Sequence, residues 1–140
     1  SWDTSSVRYM RYIFSDAPAA NPDTSGWDTS SVTNMKRMFY KATSANPDTS
    51  GWDVSQVTDM SYMFRNVTLS RPNYEALLVN WSAQALKPGL TFDGGYSNYC
   101  SNAAANARAN KINSNGWTIT DGGQGCDPGE LIFMSGFELD

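Results

Sequence analysis

The chain has 140 residues, of which 40% are hydrophobic, which is enough for one domain with a buried core. A net charge of −4 argues against nucleic acid as a partner, because nucleic-acid binding usually needs a basic stripe. The absence of histidine excludes a Ser-His-Asp triad, a Cys-His dyad and a His-ligated zinc site, and no apolar run approaches the roughly 20 residues of a membrane span.

A repeat, with a period of about 25 residues, occupies the first half of the chain. Trp2, Trp27 and Trp52 are evenly spaced by this period, and the hexapeptide at 21–26 recurs unchanged at 46–51. The other columns with the same spacing are Asp3, Asp28 and Asp53; Val7, Val32 and Val57; Met10, Met35 and Met60; Ile13, Met38 and Met63; and Phe14, Phe39 and Phe64. Such a period predicts a solenoid, in which each unit buries its apolar face against its neighbours.

Within each unit the apolar spacing predicts a short helix. Val32, Met35, Met38 and Phe39 stand at i, i+3, i+6 and i+7, and a serine just upstream can cap the helix. The Gly-Trp-Asp-Thr sequence predicts a short strand, and Asn-Pro-Asp predicts a chain-reversing loop. We therefore expect an α/β solenoid with short parallel strands on one face and short helices on the other. Its predicted core ladder consists of Trp2, Trp27, Trp52, Val32, Met35, Met38, Phe39, Met60, Met63 and Phe64.

Residues 26–39 read Gly-Trp-Asp-Thr-Ser-Ser-Val-Thr-Asn-Met-x-x-Met-Phe and resemble the repeat of the BspA-like leucine-rich-repeat surface proteins of bacteria. The resemblance covers residues 1 to about 66. It implies an LRR-like solenoid in a secreted or cell-surface protein, and some members of that family are adhesins. The chain departs from the family pattern before each tryptophan, where Ala20-Asn21 and Ala45-Asn46 replace Phe-Asn. The curvature of the solenoid is therefore left open.

The C-terminal part predicts a cap. Tyr74, Leu77, Leu78 and Trp81 stand at i, i+3, i+4 and i+7, which predicts an amphipathic helix over about 73–86. Residues 90–95 and 117–123 each predict a short strand that ends in Asp-Gly-Gly, and an Ala-rich helix is expected between them over about 101–112. We assign residues 1–73 to three solenoid repeats and 74–126 to divergent capping repeats.

Cys100 and Cys126 lie in Gly/Ser/Asn-rich sequence without metal-ligand spacing, so a disulfide is favoured over free thiols. Such a bond would pin the cap and implies an oxidising compartment. Residues 127–140 are treated as a separate tail. Residues 131–138 resemble an Ile-Phe-x-x-Gly-Phe-Glu motif found at the ends of secreted proteins. The tail is either an export or surface-retention tag or an edge strand that covers the last sheet edge.

The outward positions of the predicted helices are rich in tyrosine and arginine, which are enriched at protein interfaces. These positions predict a partner-binding stripe, and an ordinary solvated helical face is the alternative. The candidate binding residues are Arg8, Tyr12, Arg37, Tyr40, Tyr62 and Arg65.

Two sets of carboxylates are candidates for chemical sites. Asp3, Asp28 and Asp53 would stack about 4.8 Å apart, a pattern that calcium or simple turn capping could use. Asp93 and Asp121 could serve as the carboxylate pair of a glycosidase, or each could close a tight turn. We expect turn roles at both sets, with no metal, no cofactor and no catalysis.

These observations favour a non-catalytic binding module outside the cell, with a protein or a glycan as its ligand. The alternative is a structural surface protein that assembles with copies of itself into a fibre or layer. The chain begins at Ser1 within a repeat, so we expect further repeats before it in the native protein, and an uncapped end would favour self-assembly.

Overall fold

A computed structural model describes residues 3–112 and 114–126, and of residues 110–112 it describes the backbone alone. The predictions for Trp2 and for the tail at 127–140 lie outside the described residues. The described part is a small α/β structure with short parallel strands, two α-helices and one disulfide.

Successive repeats lie side by side and pair in parallel. Isolated bridges join Tyr9 to Asn34 and Asn34 to Asp59, so each bridge links equivalent positions of neighbouring repeats. Around these bridges, alternate backbone N–H groups donate to carbonyl oxygens of the next repeat, so the repeats are linked laterally. Between the first and second repeats the bonds run from Met10 to Asn34, Tyr12 to Lys36, Phe14 to Met38 and Asp16 to Tyr40. Between the second and third repeats they run from Met35 to Asp59, Arg37 to Ser61, Phe39 to Met63 and Lys41 to Arg65.

The helix predicted in each repeat is wrong, because this segment consists of consecutive turns. The N–H of Met38 donates to the carbonyl of Met35, and that of Tyr40 donates to the carbonyl of Arg37, in each case three residues back. An α-helix needs bonds to the residue four back, but the intervening N–H groups are used between repeats. Parallel pairing also lies at Tyr9, Asn34 and Asp59 rather than at the predicted Gly-Trp-Asp-Thr strand.

Left-handed backbone recurs at two positions of every repeat. The first is occupied by Tyr12, Arg37 and Tyr62, and the second by Asp16, Lys41 and Asn66, with φ between 54° and 67°. A residue other than glycine pays about 1–2 kcal/mol for this conformation. Because the two positions are four residues apart, a right-handed helix cannot run through the segment.

The core runs along the stacked repeats. Val32, Met35, Met38, Phe39, Met60, Met63 and Phe64 are fully buried, Trp52 is buried and Trp27 is partly buried. The aromatic side chains stack from repeat to repeat, with centroids 5.3 Å apart for Phe14 and Phe39, 5.2 Å for Phe39 and Phe64, and 6.4 Å for Trp27 and Trp52. Each such burial stabilises the fold by roughly 1.5–3 kcal/mol.

Helix α1 (Arg71–Ser82) follows the third repeat. The side chain of Ser70 accepts the N–H of Asn73, and Pro72 lies in the first turn, where its missing N–H is not needed. The helix buries Tyr74, Leu77, Leu78, Trp81 and Ser82. It ends before the predicted residue 86, and beyond it the Gln84 side chain bonds to the backbone of Trp52 and Val54. None of the described helices has the length and apolar content that a membrane crossing requires.

The cap continues the parallel stacking. Strand β1 (Thr91–Asp93) bridges to Met60 through Phe92 and pairs in parallel with β3 (Thr118–Thr120). Strand β2 (Asn98–Tyr99) pairs in parallel with β4 (Gly123–Gln124). The predicted Ala-rich helix is α only over α2 (Asn102–Asn106) and continues as a π-helix over Ala107–Ile112. The predicted disulfide between Cys100 and Cys126 is present, and it joins the end of β2 to the segment after β4.

Candidate functional site

Three of the predicted binding residues form one column across the repeats. Tyr12, Arg37 and Tyr62 occupy the same position in consecutive repeats, with φ of 62°, 54° and 57°. The guanidinium carbon of Arg37 lies 5.9 Å from the ring centroid of Tyr12 and 5.2 Å from that of Tyr62. Each cation–π contact of this kind is worth about 0.5–1 kcal/mol at an exposed site. The column therefore holds a cation against two aromatic rings.

Two further predicted residues join this column. The guanidinium carbon of Arg37 lies 4.9 Å from the Tyr40 ring centroid, and that of Arg65 lies 5.4 Å from the Tyr62 centroid. We call Tyr12, Arg37, Tyr40, Tyr62 and Arg65 the Tyr/Arg stripe. Arg8 is exposed, and within the described residues no contact of its side chain joins it to the stripe.

The stripe is open to solvent although its members touch one another. Tyr12 and Tyr62 are 45% and 40% exposed, and the Arg65 side chain is 54% exposed. Arg37 and Tyr40 are half-buried between these neighbours. Because the contacts restrict the side chains before any ligand arrives, less conformational entropy would be lost on binding.

A small cleft lies at one end of the stripe. It has a volume of about 270 Å³ and is lined by Ser61, Tyr62, Arg65, Thr91, Asp93 and Thr120. An Arg65 nitrogen lies 3.9 Å from an Asp93 carboxylate oxygen. The sequence pattern missed this cleft, because Thr91 and Thr120 come from strands of the cap that the repeat period does not include.

Lys41 is a neighbour of the stripe that the sequence pattern also missed. Its ammonium nitrogen lies 5.2 Å from the Tyr40 ring centroid. The signal that could have found it is the column of Asp16, Lys41 and Asn66, which keeps the repeat period. That column is a weak signal, because its three side chains differ in chemistry.

The aspartates considered for calcium have other partners. In Asp3, Asp28 and Asp53, one carboxylate oxygen accepts both the N–H and the hydroxyl of the serine two residues on, at 2.5–3.0 Å. The bonds from Ser30 lower the pKa of Asp28, against smaller opposing effects of burial and of the Asp3 charge. Within the described residues, no group of three or more His, Cys, Asp or Glu side chains could hold a metal ion.

Asp93 and Asp121 close equivalent turns. Asp93 accepts the N–H of Gly95 at 2.8 Å, and Asp121 accepts that of Gly123 at 2.9 Å. The Asp121 side chain is only 1% exposed and is engaged by Arg108 at 2.9 and 3.1 Å and by the Tyr74 hydroxyl at 2.6 Å. Burial, together with the Asp121 charge and hydrogen bond, raises the pKa of Tyr74 well above its ordinary value. These contacts join helix α1 and the π-helix to the segment that follows β3.

Comparison with known proteins gives one family. Neither the curated proteins nor the solved structures contain a match to the chain. A family model described as "Mycoplasma protein of unknown function, DUF285" matches residues 1–81. This match covers the repeats, the whole Tyr/Arg stripe and all but the last residue of α1, which is more than half of the chain. The chain therefore belongs to the DUF285 family.

Proposed function

We propose that the chain is a non-catalytic binding module that contacts a protein or glycan outside the cell through its Tyr/Arg stripe. The observation that carries this proposal is the column of Tyr12, Arg37 and Tyr62, in which one guanidinium lies against two partly exposed rings. Tyrosine and arginine dominate the energetics of many binding surfaces.

The backbone of the column supports the same proposal. All three residues have left-handed φ, which a glycine or an asparagine would tolerate better. Strained backbone persists where the surrounding structure imposes it, and it is concentrated at functional sites. The same conformation recurs at Asp16, Lys41 and Asn66, and of these Lys41 borders the stripe through its contact with Tyr40.

We infer an LRR-like solenoid related to the BspA-like surface proteins, secreted or held at the cell surface. The parallel bridges between equivalent positions of neighbouring repeats support the solenoid. The disulfide of Cys100 and Cys126 supports an oxidising compartment, because such bonds are rare where thiols are kept reduced.

The test is a binding screen of the full chain against a glycan array and a panel of matrix proteins. Tyr12→Ala combined with Tyr62→Ala is compared with wild type and with Tyr96→Ala, which removes a 60% exposed tyrosine outside the stripe. We expect a hit that the double variant weakens and the control retains. A hit that both retain would place binding elsewhere. No hit, together with concentration-dependent assembly in size-exclusion chromatography, would favour the self-assembling surface protein instead.

A further inference from the structure

We propose that the ligand of the Tyr/Arg stripe is an anionic polysaccharide, a linear chain of sugars that carries carboxylate or sulfate groups. This inference rests on the proposed binding function and names its ligand class. It starts from an uneven distribution of charge along the sequence, which the stacking of the repeats gathers into one region.

The three turn segments at 8–16, 33–41 and 58–66 are basic in an acidic protein. They hold six of the ten Lys and Arg residues and two of the fourteen Asp and Glu residues, so they carry +4 and the rest of the chain carries −8. The lateral hydrogen bonds place these segments beside one another. A patch of one sign on a protein of the other sign attracts an oppositely charged ligand.

The cations of this patch retain open binding capacity. Among the described residues of the three segments, the one ion pair is the 3.9 Å contact of Arg65 with Asp93. The Arg37 guanidinium touches tyrosine rings, and its Nε atom is buried without a hydrogen-bond acceptor. Guanidinium groups match the paired oxygens of carboxylates and similar oxyanions, so acidic groups of a ligand would pair with the exposed Arg65 and with the half-buried Arg37 through nitrogens other than its buried Nε.

The surroundings favour a sugar polymer over a protein. Protein interfaces usually have an apolar centre, whereas three of the four exposed large apolar side chains in the segments at 8–16, 33–41 and 58–66 are the tyrosines Tyr9, Tyr12 and Tyr62, and the fourth is Ile13. A tyrosine ring can pack on the apolar face of a sugar while its hydroxyl stays in water. The cleft next to Tyr62 adds the hydroxyls of Thr91 and Thr120, which suit the hydroxyls of a sugar ring, whereas its Ser61 hydroxyl already donates to Asp59.

The backbone N–H groups at two positions of the stripe are occupied, which disfavours binding of an extended peptide there. The N–H groups of Tyr12 and Arg37 already donate to the neighbouring repeats. An added peptide strand needs free backbone groups at a sheet edge. Recognition at the stripe therefore depends on side chains, which recur about every 4.8 Å from repeat to repeat. A linear polymer with regularly spaced charges fits such a surface.

The inference is tested by measuring the affinity of the full chain for four polymers by biolayer interferometry at low and high salt. The probes are heparin, polygalacturonate, neutral dextran and polyglutamate. We expect binding to at least one of the two acidic polysaccharides, weakening with salt, with no binding to dextran and weaker binding to polyglutamate. Arg37→Gln should weaken binding about tenfold, as loss of a charge-assisted contact predicts. Arg65→Gln, at an exposed side chain, should act in the same direction.

Lys87→Gln is the matched control, because it removes the same charge from an exposed residue of the cap. Circular dichroism verifies that each variant is folded. Equal affinity for polyglutamate, or equal loss in Arg37→Gln and Lys87→Gln, would overturn the inference. If the chain binds a neutral glycan or a matrix protein through Arg37 and no acidic polysaccharide, the inference fails while the proposed function stands. If it binds none of these ligands, both fail.

Discussion

The indole Nε1 of Trp81 donates a 2.9 Å hydrogen bond to the carbonyl oxygen of Thr49. In the repeat before, Trp52 makes the same bond to Thr24, also at 2.9 Å. Trp81 lies on α1, so a helix supplies the indole that the next repeat would otherwise contribute. The Trp81 ring also packs edge-on against Phe92 of β1, with centroids 5.5 Å apart. Helix α1 thus links the repeats to the cap.

Gln84, just after α1, also bonds to the third repeat, and loss of its side chain should destabilise the fold. Its side chain accepts the N–H of Val54 and donates to the carbonyl of Trp52, both at 2.8 Å. Gln84→Glu keeps the acceptor but removes the donor, so we expect the free energy of unfolding to fall by about 1–2 kcal/mol in urea titrations. Gln56→Glu makes the same change at an exposed residue and should stay within about 0.5 kcal/mol of wild type. Equal effects at both sites would contradict a structural role of Gln84.

The left-handed positions predict an unusual response to glycine. Lys41 has φ of 60°, so Lys41→Gly relieves strain and should raise the free energy of unfolding by about 0.5 kcal/mol. Lys36→Gly, where φ is not positive, should lower it by about 0.5–1 kcal/mol through the entropy of the unfolded chain. Urea titration of the two variants provides the comparison. Destabilisation of the same size in both would show that Lys41 carries no strain.

The buried Tyr74 hydroxyl predicts a loss of stability at alkaline pH. Its pKa is raised in the folded state by burial and by Asp121, so the folded protein holds this proton more tightly than the unfolded chain does. The raised pKa of Tyr74 stabilises the fold fully at any pH below about 10, the pKa of tyrosine in the unfolded chain. This stabilisation is lost as the pH rises from there through the pKa of Tyr74 in the folded protein.

Free energies of unfolding measured from pH 8 to 11 test this prediction. Tyr74→Phe should lower stability at pH 8, because Asp121 loses a hydrogen bond, and should flatten the decline above pH 10. Tyr9→Phe, at a 62% exposed side chain, should leave both stability and slope unchanged. A decline as steep in Tyr74→Phe as in wild type would assign the alkaline response to other groups.

The disulfide should stabilise chiefly the cap. It closes a segment with a sequence separation of 26 residues, which corresponds to about 3–4 kcal/mol in the chain-entropy model. Replacing both Cys100 and Cys126 by serine should lower the free energy of unfolding by that amount. Hydrogen exchange should show the largest loss of protection in β2, β4 and α2. Reductant should affect wild type but leave the double variant unchanged, and a uniform loss along the chain would contradict a local role.

The repeat period predicted which side chains pack together better than it predicted the backbone structure within each repeat. The regular spacing placed Phe39 beside Phe64 and Trp27 beside Trp52, because equivalent residues of stacked units must meet. The parallel pairing of residues 91–93 with 118–120 likewise joins the two segments that end in Asp-Gly-Gly. The spacing of apolar residues within a repeat wrongly predicted a helix. Turns that are hydrogen-bonded to the next repeat bury residues at nearly the same intervals as a helix does.

The wrong prediction of a helix has a specific source in the backbone of the repeats. Nothing in the residue types of Tyr12, Arg37 or Lys41 predicts left-handed φ, a conformation associated with glycine and asparagine. The turns are imposed by bonds between repeats, such as Arg37 N–H to Ser61, which a sequence window does not reveal. The outward position of the stripe was still predictable, because its tyrosine and arginine residues lie outside the columns of buried methionine and phenylalanine.

The central claim is that the Tyr/Arg stripe is the ligand-binding surface of the chain. Nuclear magnetic resonance tests most directly which residues a ligand contacts. Amide and arginine side-chain shifts of the full chain are recorded while the strongest ligand from the binding screens is added. The largest changes are predicted at Tyr12, Arg37, Tyr62 and Arg65, extending to Thr91 and Thr120 in the cleft. Changes centred instead on Asp28 and Asp53, which accept hydrogen bonds from Ser30 and Ser55, with none in the stripe, would contradict it.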